Sequence, residues 1–124
     1  MTTINSVLIA NRGEIAERII RTVQAMNLRA IAMYSSADAE LGFVSAADQA
    51  IELGSTSQES YLNASAVIEA ALAAGADAIH PGYGFLSENA DFAAAVEQAG
   101  LIFIGPNSAV IEQMGRKDRA REIA

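Results

Sequence analysis

The feature that most constrains the fold of this 124-residue chain is a regular alternation between short apolar runs and helix-like segments. Each apolar run ends at glycine, proline or polar turn residues, as expected of buried strands. We predict five strands, at residues 7–10, 30–34, 50–53, 78–80 and 101–104. Strands that alternate with helices at this spacing pair in parallel through right-handed crossovers, so we predict an α/β fold with a parallel sheet flanked by helices.

The segments between the predicted strands carry helix signals. Asn63 precedes an alanine-rich run as a good N-cap, and Asn27, Gly75 and Gly100 are suited to end helices in a left-handed conformation. We predict helices at residues 14–26, 43–47, 64–74 and 92–99, and a further helix that starts after 107 or 108 and runs through 114.

The predicted first helix has a charged side and an apolar side. Glu14 and Glu17 stand four residues before Arg18 and Arg21, which is the order that favours ion pairs along a helix. The two arginines lie on the polar side, either as a solvated surface or as part of an interface, where arginine is favoured. The apolar side is predicted to comprise Ile15, Ile19, Val23 and Met26, with Ala16 and Ile20 beside them.

Basic residues are confined to two short blocks. The chain has 8 Lys and Arg against 15 Asp and Glu, a net charge of −7, and residues 30–115 contain no Lys or Arg. Nucleic-acid binders and polybasic membrane-surface modules need a basic face, so both classes are excluded. The first block contains Arg12, Arg18, Arg21 and Arg29, and the second contains Arg116, Lys117, Arg119 and Arg121.

Cysteine and histidine usage narrows the possible chemistry. The chain has no Cys and a single His, which excludes disulfides and cysteine nucleophiles and argues against a transition-metal site. The first residues show no basic segment followed by an apolar run, and no stretch is long and apolar enough to span a bilayer. We therefore expect a cytoplasmic protein without a signal peptide.

The first loop, residues 10–14, lies where open α/β folds carry a phosphate-binding loop. It has one glycine, Gly13, where the dinucleotide motif has three, and Glu14 at the helix start would repel a pyrophosphate. Dinucleotide binding at this loop is therefore disfavoured. Two roles remain open for Arg12, a turn residue that forms a local ion pair or a member of a site.

The densest candidate site is the segment 80–89, which follows the fourth predicted strand. Open parallel sheets bind ligands at the carboxyl ends of their strands, and the two glycines of the segment permit close backbone approach. The alternative is a tight turn in which Ser87 or Asn89 caps the next helix. His80 is either a hydrogen-bonded structural group or a chemical one.

Several sequence blocks follow one another along the chain: VLIANRGEIA at 7–16, SYLN at 60–63, AIHPGYGFLSEN at 78–89 and FIGP at 103–106, then Met114, Gly115 and Lys117. Together they resemble the N-terminal domain of the biotin carboxylase family, and the first and third blocks are long and specific. The resemblance implies a Rossmann-like pre-ATP-grasp domain at residues 1–115. Residues 116–124 would begin the connection to an ATP-grasp domain that this chain lacks.

The resemblance also implies a reaction and its components. Enzymes of this family use Mg-ATP and bicarbonate to make carboxyphosphate, and carboxylate biotin held on a carrier domain. ATP, Mg²⁺ and biotin would therefore be cofactors of the full enzyme, none of them bound tightly by this chain. The implied partners are the remaining enzyme domains, the carrier domain and a second copy in a homodimer that uses the helix face with Arg18 and Arg21.

The family motifs assign roles to individual residues. Gly84 would offer its backbone N–H at the bicarbonate and biotin pocket, with Tyr83 as a wall or gate. Glu88 would orient an active-site arginine from a later domain, and Lys117 would contact ATP phosphates as a flexible point charge. No catalytic residue and no metal ligand is expected within the chain, which we expect to be inactive by itself.

Three residues depart from the family pattern. Phe43 replaces a histidine, Gln49 a glutamate and Arg116 an aspartate. We expect the first two changes to affect packing, whereas Arg116 alters the charge next to Lys117. Two other functions remain open, a dimerisation or assembly module and the equivalent domain of another ATP-grasp ligase. The acyl-CoA or 2-oxo acid that is finally carboxylated would be selected by a separate carboxyltransferase.

Overall fold

A computed structural model describes residues 4–105 of the chain. The five strands are β1 (Ser6–Ile9), β2 (Arg29–Tyr34), β3 (Gln49–Glu52), β4 (Ala78–His80) and β5 (Ile102–Phe103). They form one sheet in the order β3-β2-β1-β4-β5, and every neighbouring pair is parallel. The predicted parallel α/β fold is confirmed, and each strand boundary lies within one residue of its prediction.

Four helices connect the strands, at α1 (Gly13–Ala25), α2 (Gly42–Ala46), α3 (Ala64–Ala73) and α4 (Ala90–Gln98). The chain steps from β1 to β3 in one direction and from β3 to β5 in the other. Right-handed crossovers therefore put α1 and α2 on one face of the sheet and α3 and α4 on the other. Within residues 4–105, no helix combines the length and the apolar character needed to cross a membrane.

The helix ends follow the predicted capping chemistry. The side chain of Asn63 accepts a hydrogen bond from the backbone N–H of Ala66 at 3.1 Å, and Asn89 accepts one from Phe92 at 3.0 Å. Asn89, not Ser87, is therefore the cap of α4, which begins two residues before the predicted start at 92. The predicted helix that ends at residue 114 lies outside the described residues.

The core lies between the sheet and the helices. All of β1 is buried, and α1 contributes Ala16, Ile20 and Val23. Burial of a Val, Leu or Ile side chain contributes about 1.5–3 kcal/mol, so the strand and helix residues together supply the main stabilisation. The largest fully buried side chains include Tyr61, Phe43, Phe92, Leu8, Ile9, Ile20, Ile31 and Met33.

One prediction about α1 is wrong. Ile15 and Met26 were expected on its buried side, but they are 39% and 64% exposed. The buried row has Ala16, Ile20 and Val23, at the i, i+4 and i+7 positions of one helix face. Ile15 lies one turn before Ile19, which is partly buried against the core, and Met26 follows the helix as its C-cap.

Candidate functional site

The carboxyl ends of β1, β2 and β4 lie side by side, because β1 sits between the other two strands. Ile9 near the end of β1 is level with Ala32 of β2 and with His80 of β4. Parallel α/β sheets bind ligands at this edge, outside the carboxyl ends of the strands. The loops that meet there are residues 10–12, 35–41 and 81–89.

Asn11 joins the first of these loops to the third. Its side chain is buried, and its Nδ2 donates to the carbonyl oxygens of Pro81 at 2.8 Å and Tyr83 at 2.7 Å. Its Oδ1 accepts from the backbone N–H of Arg12 at 2.8 Å, which fixes the orientation of the amide. Both amide hydrogens of Asn11 therefore hold the backbone of the loop 81–89.

The loop makes room for this contact through a glycine. Gly82 has φ +66°, and a Cβ at this position would lie 2.6 Å from the Nδ2 of Asn11. Any other residue would both strain the backbone and displace the Asn11 amide. Gly84 also has a positive φ, +71°, but a Cβ there would meet nothing within 4 Å.

Three residues with predicted site roles lie on this loop, and all three are exposed. Tyr83 is 76% exposed, and Gly84 and Glu88 are exposed as well. Within residues 4–105, the backbone N–H of Gly84 and the carboxylate of Glu88 make no hydrogen bond. In the part of the chain that the structure describes, the loop therefore presents an unpaired N–H donor, an aromatic ring and a carboxylate on its surface.

His80 has the structural role that was one of its two predicted alternatives. Its Nδ1 accepts a hydrogen bond from the backbone N–H of Gly82 at 3.1 Å. Burial lowers the pKa of His80 below its usual value, which favours the neutral imidazole. A neutral ring that accepts at Nδ1 carries its proton on Nε2. The imidazole thus supports the turn that precedes Tyr83.

Arg12 forms an ion pair, one of the two roles left open for it, and its partner is Asp38 in the short 3-10 helix Ser36–Asp38 that follows β2. Arg12 Nε and Nη2 donate to the two carboxylate oxygens, each at 2.7 Å. The hydroxyl of Tyr61 donates to Asp38 Oδ2 at 2.7 Å and accepts from the Ser35 N–H at 3.2 Å. We call these side chains the Arg12–Asp38–Tyr61 network.

The pKa values of the network are shifted in the directions expected for a structural role. The Arg12 guanidinium lowers the pKa of Asp38, and burial together with the Asp38 carboxylate raises the pKa of Tyr61 to about 12. The Tyr61 ring also packs against Phe85, with 5.3 Å between ring centroids. The loop 81–89 is therefore held at two points, by Asn11 near its start and by Tyr61 near its middle.

The chain is similar to known proteins of one family. The family described as "Biotin carboxylase, N-terminal domain" matches residues 3–111. The chain belongs to this family. It is 57% identical to the biotin carboxylase of Halalkalibacterium halodurans over 116 residues. This aligned segment is 93% of this chain and 26% of that protein. The match rules out the alternative that the chain belongs to another type of ATP-grasp ligase.

More distant members of the biotin carboxylase family are similar over the same span. The mitochondrial methylcrotonoyl-CoA carboxylase subunit alpha of Oryza sativa is 52% identical over 121 residues, 97% of this chain and 16% of that protein. The biotin carboxylase domain of Hydrogenobacter thermophilus 2-oxoglutarate carboxylase, solved as a dimer with MgADP, ADP and bicarbonate, superposes with TM-score 0.91 and 44% identity. It covers 99% of this chain, which spans 27% of that domain. The chain thus spans well under a third of these proteins.

In the N-terminal domain formed by this chain, the two arginines with a predicted interface role lie on the exposed side of α1. Arg21 is exposed and pairs with Glu17 at 3.0 Å, whereas the predicted pair of Glu14 with Arg18 does not form within residues 4–105. Arg18 also lines a groove of about 640 Å³ that runs from α1 to His80 and Tyr83. The α1 face and the 81–89 loop therefore border one continuous surface.

The departures from the biotin carboxylase pattern have different consequences. Phe43 is 1% exposed and belongs to the core, which confirms its predicted packing role. Gln49 lies in β3 and its side chain accepts a hydrogen bond from Arg29. Arg116 and Lys117 lie outside the described residues.

The sequence interpretation missed Asn11, Asp38 and Tyr61 as functional or supporting residues. Each follows or faces the carboxyl end of a strand, but none of them stands in a spacing pattern typical of a site. A signal was available only for Asn11, a small polar residue that comes two positions after the buried strand β1 at the ligand-binding edge.

Proposed function

We propose that this chain acts as the N-terminal domain of an enzyme that carboxylates biotin. The enzyme would consume ATP and bicarbonate, and would carboxylate the biotin of a carrier domain with release of ADP and phosphate. The observation that carries the proposal is the exposed loop 81–89 at the carboxyl edge of the sheet. Within residues 4–105 its Gly84 N–H has no acceptor, and such a donor suits an anionic or ureido oxygen.

The loop residues fit complementary roles in a pocket for bicarbonate and biotin. Gly84 would donate its N–H to an oxygen of bicarbonate or of the biotin ureido group. Tyr83, with most of its ring exposed, would form a wall or gate of that pocket. Glu88 would accept hydrogen bonds from an arginine of a later domain and so orient it. These roles rest on the family motif together with the exposure of all three residues.

We propose that residues 1–115 form the domain and that residues 116–124 lead into an ATP-grasp domain. Lys117 would contact the phosphates of ATP, with Arg116 adding charge beside it. Within residues 4–105, no three His, Asp or Glu side chains are grouped so that they could hold a metal ion. We infer that Mg²⁺ and most of the nucleotide bind elsewhere in the enzyme. The isolated chain would neither bind ATP tightly nor carboxylate biotin.

A hybrid enzyme tests this function. In the biotin carboxylase of Halalkalibacterium halodurans, the matching N-terminal segment is exchanged for this chain. We expect bicarbonate-dependent ADP formation with free biotin to persist in the hybrid and to be lost when the segment is deleted. A folded hybrid without this activity would contradict the domain function. Carboxylation of biotin by the isolated chain would contradict its dependence on the other domains.

Assembly is a second function, favoured by the outer face of α1. Arg18 and Arg21 are exposed there, next to Ile15 and Met26, which are 39% and 64% exposed. Arginine and large apolar side chains are enriched in interfaces between subunits. We propose that this face contributes to a homodimer of the full enzyme.

Sedimentation of the isolated chain and of the hybrid tests the assembly function. Arg21→Glu reverses one charge on the α1 face, and Arg29→Glu makes the same change at the amino end of β2 as a control. We expect only the first variant to weaken dimerisation, by about tenfold or more. A wild-type chain and hybrid that both remain monomeric at high concentration would refute the proposal.

We propose the cytoplasm as the location, since a chain without Cys suits a reducing compartment. The relative from rice is by name a mitochondrial protein, so mitochondria are the competing location. Fractionation of the source cells with an antibody against this chain distinguishes the two.

A further inference from the structure

We propose that Asn11 is a positioning residue for the loop that carries Tyr83 and Gly84. The proposal rests on the function proposed above for that loop and adds the group that sets its conformation. Asn11 itself is only 1% exposed, so it would act only through the loop.

The geometry of the Asn11 side chain supports this role. Its two amide hydrogens are donated to carbonyl oxygens on either side of Gly82, those of Pro81 at 2.8 Å and Tyr83 at 2.7 Å. The remaining oxygen is occupied by the N–H of Arg12 at 2.8 Å. The Tyr83 carbonyl lies in the same planar peptide group as the Gly84 N–H, so the bond from Asn11 fixes the direction of that N–H.

The contact is specific to a side-chain amide. Asp has the same shape but would direct a carboxylate oxygen at two carbonyl oxygens, with no hydrogen to donate. The loop side is equally specific, since a Cβ on Gly82 would lie 2.6 Å from Nδ2 and 3.0 Å from Cγ of Asn11. The contact at the sheet edge therefore requires both the side-chain amide of Asn11 and a glycine at position 82.

The sheet does not depend on these bonds. β1 and β4 are already joined by their strand pairing, which the bond from the Ala10 N–H to the His80 carbonyl extends at 2.9 Å. Loss of the Asn11 amide should therefore open the loop while the strands stay paired. This separates a positioning role from a general contribution to folding.

Hydrogen exchange in the full 124-residue chain measures the loop directly. The Gly82 and Ser87 amides report the loop, because they donate to His80 Nδ1 and to the Gly84 carbonyl. We expect Asn11→Asp to speed their exchange by at least about tenfold, with smaller changes at Leu8 in β1. Equal acceleration of loop and strand amides, or none at the loop, would overturn the proposal.

A second variant keeps the test decisive if Asn11→Asp fails to fold. Gly82→Ala strains the loop from the other side of the same contact. Gly75→Ala is its matched control, because Gly75 has φ +74° and a Cβ there would meet nothing within 4 Å. We expect both variants to lose stability, but only Gly82→Ala to open the loop. Identical exchange patterns for the two would overturn the proposal.

Kinetics of the hybrid enzyme connect the loop to the reaction. We expect Asn11→Asp to raise the KM for bicarbonate and biotin by about tenfold or more, and to leave the KM for ATP within about twofold. If Asn11 were purely structural, its substitution would lower the amount of active enzyme and leave the KM values for all three substrates unchanged. If the loop opens while all three KM values stay unchanged, the function proposed for the loop is wrong and Asn11 positions nothing catalytic. If the loop does not open, only the Asn11 proposal falls.

Discussion

Removal of one hydroxyl group tests whether the Arg12–Asp38–Tyr61 network holds the sheet edge together. Tyr61→Phe keeps the buried ring but deletes the donor to Asp38 at 2.7 Å and the acceptor of the Ser35 N–H at 3.2 Å. Tyr61 is 0% exposed and Ser35 is 3% exposed, so water cannot replace the lost partner. A buried polar group without a partner costs about 1–3 kcal/mol. We expect the free energy of unfolding to fall by this amount.

Urea unfolding followed by circular dichroism at pH 7 measures the effect. The midpoint should fall while the slope with denaturant stays constant, which indicates a change in stability and not in compactness. Tyr34→Phe is the matched control, because the Tyr34 hydroxyl makes no hydrogen bond within residues 4–105. We expect the control to change stability by less than about 0.5 kcal/mol. Equal losses for the two variants would refute the reasoning.

The same variant has a pH signature. Tyr61 has a pKa of about 12 in the folded chain, above the value of 10.0 for an ordinary tyrosine. The folded state therefore favours the protonated hydroxyl, and the stabilisation is complete below pH 10 and is lost as the pH rises towards 12. We expect the difference in stability between wild type and Tyr61→Phe to shrink over this window. A constant difference would show that folding does not raise the pKa of the Tyr61 hydroxyl, and would refute this reading.

Three further outcomes are expected. Arg12 lowers the pKa of Asp38, so the ionised carboxylate stabilises the fold above about pH 4, and this stabilisation is lost as the pH falls through the folded pKa. Urea unfolding of wild type and Asp38→Asn from pH 7 to pH 2 should therefore show the difference in their free energies of unfolding shrink. Asn63→Ala removes the N-cap of α3 and should lower the free energy of unfolding, measured by urea unfolding, by about 1 kcal/mol. The lowered pKa of His80 means that its neutral form is retained below pH 6.5, and the Gly82 amide resonance should shift only when the pH falls through that lower value.

The fold could be predicted from the sequence because two signals indicate a strand, an apolar run and the turn residues that follow it. The sequence is apolar at residues 7–10 around β1 and at Ala78 and Ile79 in β4, and the turn residues Asn11 and Pro81 come directly after the first run and after β4. Burial on both faces of a parallel sheet requires such continuous apolar runs, so pattern and topology agree. The helix caps at Asn63 and Asn89 were predictable for a similar reason, since capping is local chemistry between residues three positions apart.

The exposed side of α1 shows where periodicity fails. The helix carries two adjacent apolar rows, and hydrophobicity alone does not tell which row faces the sheet. The row with Ile20 and Val23 is buried, while Ile15 and Met26 remain exposed. A second apolar row that the domain does not bury is the pattern expected of a helix that contacts another protein surface. The failed prediction therefore supports the assembly role proposed for this face.

The supporting contacts of the site could not be predicted from local pattern, because they join residues that are far apart in sequence. Asn11 and Tyr83 are separated by 72 positions, and Tyr61 and Asp38 by 23. Strand order nevertheless limits the possibilities, since only loops that follow neighbouring parallel strands can meet at one edge. Once β1 and β4 are predicted as neighbours, Asn11 is the first polar side chain beyond β1 and Gly82 is the first glycine beyond β4. A close approach between an amide and a residue without a side chain is then an expected way to fix the loop, and the geometry of Asn11 has this form.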